Sequence, residues 1–510
     1  MDEVSSLLFP AGERPPLRER PPACLQDLGL DRVVQAVTAG REEYGLEPVF
    51  YTPLREPEAV LFRHEVFRDF QEPLVAETVR TFSSALRAVR AHLRRADKAS
   101  YALEKDRWFL DGASLYVRAV LALLEGLSSC PLHSRGLVSF RHRLAAYAAS
   151  PAFRSLAAAA ERLQAELSSL RFAVLVQGLR VTVRPYRGEP DYAEVVRSTF
   201  ERFRQAHDSP YAFEFRGSAE LNHVEAQILE GVSRLNPDLF LRVADFRETC
   251  GELPARWIDA FDREAQFYLG YLDFLAPLRA AGLPFCLPTL AAEGTEAFVQ
   301  GCFDLALAAK LVADSRLPVL NDFLFRPPER ALVVTGPNQG GKTTFARAVG
   351  QAFYLASLGC PVPGREAQLP VPDQVLTHFP RGEHTLDMHG KLEDDLLRIR
   401  EVLQAATPRS VVIVNEILSS TALRDARTLG RRLLGQLLDL GCLCVWVTFL
   451  DELASLNEKT ASLVATVPPG QPEERTFRVL RRPADGRAYA EALARRYRLT
   501  YRDVRQRFTP

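Results

Sequence analysis

The most constraining feature of this sequence is a glycine-rich loop that ends in a lysine. An apolar run at 331–334 precedes the loop, and a segment of helix-forming residues at 345–349 follows it. A strand, a glycine-rich loop and a helix in this order are the context in which a phosphate-binding loop forms. The residues that fit the pattern G-x-x-x-x-G-K-[ST], together with the next one, are Gly336, Pro337, Asn338, Gln339, Gly340, Gly341, Lys342, Thr343 and Thr344.

This pattern predicts that the loop binds the phosphates of a nucleotide. Glycines allow successive backbone N–H groups to point at one anion, and the start of the following helix adds partial positive charge. In such a loop Lys342 reaches the β- and γ-phosphates, and Thr343 offers its hydroxyl group to Mg²⁺. The alternative is a glycine-rich turn that matches the pattern by chance, but both flanks also fit.

A second strand end supplies the acidic residue that a nucleotide-hydrolysing site needs. Residues 411–414 are apolar β-formers, and Asn415 and Glu416 follow them. An Asp normally holds the Mg²⁺ shell at the first of these positions. Asn415 can still accept a hydrogen bond from a metal-bound water or from Thr343, but without a charge it should bind Mg²⁺ less firmly. Glu416 is the candidate general base, and the alternative is a buried strand that ends in a polar turn.

The composition is that of an ordinary globular protein. The chain has 510 residues, of which 47% are hydrophobic and 25% charged, and its length allows roughly two to four domains. The 8 cysteines lack the spacing of a zinc site, and no uncharged apolar span of membrane length occurs. With a charged, proline-rich start unlike a secretory signal, these features predict a cytoplasmic protein without a membrane partner. The formal net charge is +0, so any affinity for nucleic acid has to come from local basic patches.

Hydrophobic periodicity divides the chain into three predicted parts. Residues 1–30 are expected to form a loose N-terminal leader. Residues 31–285 are rich in Ala, Leu and Arg at helical spacing, apart from a β-hairpin predicted within an insertion around 171–215. Residues 286–510 alternate short apolar strands with helices, which indicates an α/β nucleotide-binding domain.

Motifs over residues 300–510 resemble those of the MutS mismatch-repair ATPases. The glycine-rich loop resembles the family's TGPNMGGKST, and Asn321 and Asp322 precede it as in that family. Residues 415–426 resemble the segment DEIGRGTSTxDG, and residues 448–453 resemble THxHEL. A bacterial MutS-like subgroup with NEI…ST and VTFxDEL is more similar than the repair proteins proper.

The resemblance implies a fold, cofactors and partners. The implied fold is an α/β P-loop ATPase domain (ABC-type, MutS-like), preceded by a mainly α-helical core and lever domain with a small β-hairpin clamp. ATP and Mg²⁺ are the implied cofactors, with Asn321 at the nucleotide and with Thr343 and Asn415 at the metal. The implied partners are double-stranded DNA, contacted through its phosphates, and a second MutS-like subunit. Residues 286–510 would end in a C-terminal helical segment, which would join two subunits into a homodimer or a heterodimer.

Departures from the family pattern distinguish this chain from the repair proteins. Phe449 replaces the family's switch histidine and cannot sense a γ-phosphate. Lys391 lies where the family has a serine that reaches the partner subunit's γ-phosphate. Lys391 therefore either attracts a phosphate across a dimer interface or begins a solvated, charged helix. We do not expect a counterpart of the family's mismatch-reading domain with its F-x-E wedge. The motif at Phe246 lies in a helical segment, so direct mismatch reading is not expected.

Two basic clusters are candidates for contacts with DNA phosphates, which would depend on salt and hardly on base sequence. The alternative is that each cluster is a solvated face of the protein. The first cluster follows helical spacing and consists of Arg87, Arg90, Arg94, Arg95 and Lys98. The second cluster lies at the predicted hairpin and consists of Arg180, Arg184 and Arg187.

Together these features predict a MutS-like DNA clamp protein that binds ATP and switches conformation on DNA without reading mismatches itself. Slow, Mg²⁺-dependent hydrolysis of ATP is expected, with Glu416 as the catalytic residue. Asn415 and Phe449 also support an alternative, a nucleotide-binding switch with little or no turnover. A further alternative is a structural partner of another MutS-like protein, in which ATP only stabilises the dimer.

Overall fold

The computed structural model describes residues 6–12, 15–178, 180–189, 222–292, 294–380, 391–419, 421–468 and 474–484. Contacts between residues divide the chain into two units. The first comprises residues 1–72, 133–137 and 263–510, and the second comprises residues 73–132 and 138–262. The predicted domain boundary between residues 285 and 286 stays a prediction.

Helices form most of the chain before residue 282, as the periodicity predicts. None of the helices in the described ranges combines the length and apolar content needed to cross a membrane. The α-helices are Cys24–Leu28 (α1), Leu30–Thr38 (α2), Glu47–Tyr51 (α3), Pro57–Gln71 (α4), Pro73–Lys98 (α5), Ala102–Ser129 (α6), Arg135–Ala149 (α7), Pro151–Ser169 (α8), His223–Leu235 (α9), Pro237–Thr249 (α10), Arg256–Ala280 (α11), Leu305–Ala313 (α12), Lys342–Ser357 (α13), Lys391–Ala405 (α14) and Leu423–Leu440 (α15).

Within the described ranges, strands form a hairpin in the second unit and three sheets in the first. In the first unit β3 pairs with β8, a further sheet has the order β4-β9-β5-β6, and the main sheet is described below. The strands are Phe172–Gln177 (β1), Arg180–Pro185 (β2), Phe285–Cys286 (β3), Thr289–Leu290 (β4), Ala297–Cys302 (β5), Asn321–Phe325 (β6), Ala331–Thr335 (β7), Val362–Pro363 (β8), Glu366–Leu369 (β9), Val375–His378 (β10), Val411–Asn415 (β11), Leu443–Val447 (β12), Thr460–Ala465 (β13) and Val479–Arg481 (β14).

The second unit is held together by packed helices. Apolar residues recur at helical spacing along α5, and Val75, Val79 and Phe82 are buried. This helix packs against α6. Gly126 of α6 permits a close approach, because a Cβ added there would lie 2.5 Å from Thr78.

The hairpin predicted in this unit is confirmed, because β1 and β2 pair antiparallel. Val174 lies opposite Val183, and Val176 lies opposite Val181, so one face of the hairpin is apolar. Val183 packs against Gly231 of α9, while Val176 near the turn is 65% exposed.

A six-stranded sheet with the order β10-β11-β12-β7-β13-β14 lies at the centre of the first unit. Among the described strands of this sheet, β14 alone runs antiparallel to its neighbour. The two strands predicted at 331–334 and 411–414 are β7 and β11, and every residue of both is buried. Continuous apolar runs are typical of parallel strands that are covered on both faces. The carboxyl ends of β7, β11 and β12 meet at one edge of the sheet, which is where ligands bind in such folds.

Two parts of the described N-terminal segment, residues 6–9 and α1, are packed, which differs from the predicted loose leader over residues 1–30. Leu8 is buried, and a Cβ added at Gly350 of α13 would lie 2.5 Å from the side chain of Leu28. The side-chain amide of Gln351 donates to the carbonyl oxygen of Leu28 at 2.7 Å. Local periodicity cannot reveal this packing, because the two residues are 323 positions apart in the chain.

Candidate nucleotide-binding site

The glycine-rich loop connects β7 to α13 at the carboxyl edge of the main sheet. Gly336 and Gly341 have φ angles of 113° and 92°, in the region that favours glycine. A Cβ added at Gly336 would lie 2.7 Å from the carbonyl oxygen of Ala465, so β13 leaves no room for a side chain there. The strand, loop and helix predicted from the sequence are all present.

Lys342 is the first residue of α13, and only 4% of it is exposed. Its ammonium group donates to the carbonyl oxygens of Gly336 and Pro337, each at 3.1 Å, and to Oδ1 of Asn338 at 3.4 Å. Burial lowers the pKa of Lys342, and the carboxylate of Glu416 opposes this shift. The ammonium group of Lys342 is thus held by backbone oxygens of the loop.

Thr343 and Asn415 make the hydrogen bond anticipated from the sequence. Asn415 is the last residue of β11 and is 4% exposed, and its Oδ1 accepts from Oγ1 of Thr343 at 3.1 Å. Both side chains offer neutral oxygen atoms, whereas Mg²⁺ in proteins is usually held by one or two carboxylates together with phosphates. Within the described ranges no cluster of three or more His, Cys, Asp or Glu residues could hold a metal ion.

Glu416 lies directly after β11, on the same edge of the sheet. It has a φ of 50°, and its backbone N–H donates to the carbonyl oxygen of Val447 at 2.9 Å. Oε1 of Glu416 lies 3.6 Å from Nζ of Lys342, and the glutamate side chain is 39% exposed. Water can therefore reach a carboxylate that also pairs with the lysine of the loop.

A segment that the sequence did not predict runs along the loop, and we call residues 475–479 the strap. Asn321 holds it, since its Nδ2 donates to the carbonyl oxygen of Phe477 at 3.1 Å and its Oδ1 accepts from the N–H of Val479 at 2.8 Å. Nε of Arg475 donates to the carbonyl oxygen of Asn338 at 3.0 Å. No local signal marks the strap, because these contacts join residues 137 to 158 positions apart.

A cavity of about 630 Å³ opens beside the loop, and its volume is within the range of small-molecule sites. Lys342, Thr343 and Glu416 line it, and Phe477 of the strap also contributes. Lys310 of α12 belongs to the lining as well. The structure therefore brings the lysine, the threonine and the glutamate predicted from the sequence to a single cavity.

The remaining residues singled out in the sequence lie in the loop, at the start of α14 and after β12. Pro337, Gln339, Gly340 and Thr344 lie in the loop or directly after it; their positions complete the turn between β7 and α13. Lys391 begins α14, but its side chain lies outside the described residues, as does the preceding loop at 381–390. Phe449 follows β12 and is 47% exposed, so it presents an apolar ring to solvent.

The basic cluster on α5 is in part structural. Arg90 forms ion pairs with Asp259 and Asp262, each at 2.7 Å, and the Asp262 side chain is fully buried. The guanidinium group of Arg95 lies 4.9 Å from the centre of the Trp108 ring. These two arginines help to hold the second unit together, whereas Arg94 and Lys98 are exposed.

Other polar sequence features also have structural partners. Glu225 belongs to the capping box that starts α9. Phe246 of the F-x-E motif is buried and packs against Phe109, as expected for a structural residue. At the hairpin, Arg184 forms an ion pair with Glu189 at 3.2 Å.

The part of the chain that carries the main sheet and the glycine-rich loop is an α/β domain. Residues 332–489 match MutS domain V. In this domain the chain is similar to DNA mismatch repair proteins of the MutS and MSH type.

Similarity to individual members is limited to part of each protein. The DNA mismatch repair protein MutS of Brevibacillus brevis is 27% identical over 206 residues, which are 40% of this chain and 24% of that protein. The DNA mismatch repair protein MSH3 of Eremothecium gossypii is 26% identical over 183 residues, 34% of this chain and 18% of its own length. For MSH2 of Saccharomyces cerevisiae the identity is 32% over 129 residues, 25% of this chain and 13% of that protein. The chain thus spans less than a third of the length of these relatives.

Proposed function

We propose that the chain is a MutS-like ATP-binding protein that acts as an ATP-driven conformational switch on double-stranded DNA without reading mismatches itself. In this proposal residues 286–510 form an ABC-type P-loop ATPase domain, and the helical part before it acts as a lever with the hairpin as a small clamp. The observation that carries the proposal is the buried Lys342 inside the loop, next to the hydrogen-bonded pair of Thr343 and Asn415.

The loop would bind the phosphates of ATP. Its backbone N–H groups and the start of α13 offer partial positive charge to an anion. Lys342 would exchange its contacts with the carbonyl oxygens of Gly336 and Pro337 for contacts with phosphate oxygens, which are stronger acceptors for an ammonium group. Asn321 would act indirectly, because it holds the strap beside the loop.

Thr343 and Asn415 are the residues that would hold Mg²⁺. When bound, Mg²⁺ neutralises charge on the β- and γ-phosphates. The donor set fits this ion only in part, because both side chains are neutral and the nearby carboxylate of Glu416 pairs with Lys342. We therefore propose a site in which Mg²⁺ is held mainly through the phosphates.

Glu416 is the proposed general base for hydrolysis. Its carboxylate would accept a proton from the water molecule whose oxygen attacks the γ-phosphorus. The bond between the γ-phosphorus and the bridging oxygen breaks, and ADP and inorganic phosphate leave. Slow turnover follows, because Lys342 at 3.6 Å competes with water for the same carboxylate.

Two subunits and DNA complete the proposal. Lys391 is the candidate for a contact with the nucleotide of a partner subunit, in a homodimer or in a heterodimer with another MutS-like protein. Arg180 and Arg184 share one face of the hairpin, opposite its apolar face, and would contact DNA phosphates. The names of the relatives, which are DNA mismatch repair proteins, support DNA as the partner.

A second candidate function is a nucleotide-binding switch, or a structural partner of another MutS-like protein, with little or no hydrolysis. The observation that favours it is the neutral Asn415 where an acidic residue is usual, together with the ion pair that occupies Glu416. In this version ATP binding alone would stabilise one conformation.

Nucleotide binding and ATP hydrolysis by the purified protein, with and without duplex DNA, separate these candidates. Lys342→Ala should weaken ATP binding by more than about tenfold, since a charge-assisted contact is lost. The exposed Lys98 offers a matched control, and Lys98→Ala should bind ATP like the wild type. Glu416→Gln should retain binding and lose turnover. Wild-type turnover no higher than that of Glu416→Gln, with ATP still bound, would favour the second candidate, and unimpaired ATP binding by Lys342→Ala would refute the site.

A further inference from the structure

Arg475 and Lys342 approach the same residue of the loop. Nε of Arg475 donates to the backbone carbonyl oxygen of Asn338 at 3.0 Å, and Nζ of Lys342 lies 3.4 Å from the side-chain oxygen of Asn338. The lysine of such a loop reaches the β- and γ-phosphates of a bound nucleotide. The guanidinium group therefore lies close to the lysine that would reach the terminal phosphates.

The backbone that carries this guanidinium group is held in place on both sides. The hydroxyl group of Thr476 donates to the carbonyl oxygen of Thr466, directly after β13, at 2.8 Å. Further along the strap, Asn321 is bonded to Phe477 and Val479. A charged group on a backbone with this many contacts is preorganised, so little conformational entropy is lost when it binds a ligand.

The balance of charge at the loop also points to a polyanion. Lys342 and Arg475 both reach Asn338, and the start of α13 adds partial positive charge. The nearby carboxylate of Glu416 is paired with Lys342, and Asn415 contributes no negative charge. The pKa of Lys342 is lowered first by burial, and Arg475 adds to this shift, which shows that the two cations lie within electrostatic range.

We propose that Arg475 binds the terminal phosphate of ATP from within the same chain and supplies the charge that weakly held Mg²⁺ does not. This inference rests on the proposed function of the loop as an ATP site. A planar guanidinium group suits phosphate oxygens because it offers several donors in a fixed arrangement. Two consequences follow: the site prefers ATP to ADP through Arg475, and it retains ATP when Mg²⁺ is removed.

Binding of a non-hydrolysable ATP analogue and of ADP, each measured with Mg²⁺ and with EDTA, tests the proposal. Arg475→Gln removes the charge and keeps a side chain of similar length. It should weaken binding of the ATP analogue by about tenfold and binding of ADP by less than about threefold, because only ATP has the terminal phosphate. In EDTA the wild type should lose less affinity for the ATP analogue than Arg475→Gln does. Arg475→Lys should recover part of the affinity, since it restores the charge without the planar donors.

Arg478→Gln is the matched control, because Arg478 is an exposed arginine on the same strap. It should bind both nucleotides like the wild type. If the wild type binds the ATP analogue and Arg475→Gln binds it equally well, or loses ATP and ADP affinity to the same extent, the inference is wrong while the proposed function stands. If the wild type binds neither nucleotide, the proposed function is wrong, and the inference is wrong with it.

Discussion

Oγ1 of Thr343 donates a hydrogen bond to Oδ1 of Asn415 across 3.1 Å, which links the glycine-rich loop to the end of β11. The pair joins the two elements that a nucleotide-hydrolysing site requires, but it does so with two neutral side chains. Because Asn415 is only 4% exposed, its amide depends on this partner, as buried polar groups generally do. The hydrogen bond therefore positions the hydroxyl group that would meet Mg²⁺ in the proposed site, while the missing charge would limit how firmly the ion could be held.

Replacing Asn415 with Asp should strengthen Mg²⁺ binding at the loop. The new carboxylate would add a negative oxygen ligand, and we expect the Mg²⁺ concentration for half-maximal ATP binding to fall by about tenfold. Titration of nucleotide binding with Mg²⁺ measures this change. Asn415→Ala, which removes the oxygen, should raise the Mg²⁺ requirement, and an unchanged requirement in both variants would show that residue 415 does not act on the metal.

Replacing Gly336 with Ala should abolish nucleotide binding and lower stability. The added Cβ would lie 2.7 Å from the Ala465 carbonyl oxygen, and the φ of 113° is strained for any residue with a side chain, so a loss of about 1–3 kcal/mol in unfolding free energy is expected. Thermal unfolding and ATP binding report the two effects. Gly435 of α15 has open space around it, so Gly435→Ala should keep ATP binding and wild-type or slightly higher stability. Equal behaviour of the two variants would argue against a tight fit of the loop.

Replacing Arg90 with Ala should destabilise the protein, because Asp262 would remain buried without this partner. Loss of one partner from a buried ion pair typically costs about 3 kcal/mol or more. Chemical denaturation followed by circular dichroism measures it. Arg94→Ala, at an exposed position on the same helix, should change stability by less than about 0.5 kcal/mol. If α5 contacts DNA, Arg94→Ala should weaken DNA binding without loss of stability, and a stable Arg90→Ala variant would contradict the structural role of Arg90.

His64 should make the stability of the protein depend on pH below neutrality. Burial, with a smaller contribution from Arg68, lowers the pKa of His64 to about 4, from 6.5 in an unfolded chain. The unfolded chain therefore binds a proton more readily between these values, so this contribution is complete above about pH 6.5 and is lost as the pH falls toward 4. A shift of this size corresponds to about 3 kcal/mol.

Unfolding at pH 7, 6 and 5 tests the role of His64. His64→Gln should lose stability less steeply than the wild type as the pH falls, because Gln does not titrate. The exposed His133 is the control, and His133→Gln should keep the slope of the wild type. A slope that His64→Gln leaves unchanged would show that other groups govern the acid response.

Local sequence patterns predicted much of the site because its parts follow local rules. The apolar runs of β7 and β11 predicted buried strands, and the glycines between β7 and α13 predicted a turn that excludes side chains. Since parallel strands end at one edge of a sheet, the contact between Thr343 and Asn415 was also within reach of the sequence. The hairpin followed from two alternating runs on either side of Gly178, whose φ is 59°.

Contacts between distant residues could not be predicted in this way. Leu28 is buried against α13, although its segment looks like a loose, charged and proline-rich leader. Arg90 belongs to a cluster that looks like a phosphate-binding face, but its partner Asp262 comes from α11. In both cases the deciding residue lies elsewhere in the chain, and no periodicity within a short window encodes it.

The sequence by itself determined the glycine-rich loop, its lysine and threonine, the neutral Asn415 and the glutamate after it, because these depend on residue type and on spacing along one strand, turn or helix. Only the tertiary structure decided that Asn321 holds the strap, that Arg475 joins Lys342 at Asn338, and that Glu416 pairs with the lysine. The physical reason is that charge and hydrogen-bond partners are chosen by packing in three dimensions, which brings together residues that the chain keeps far apart.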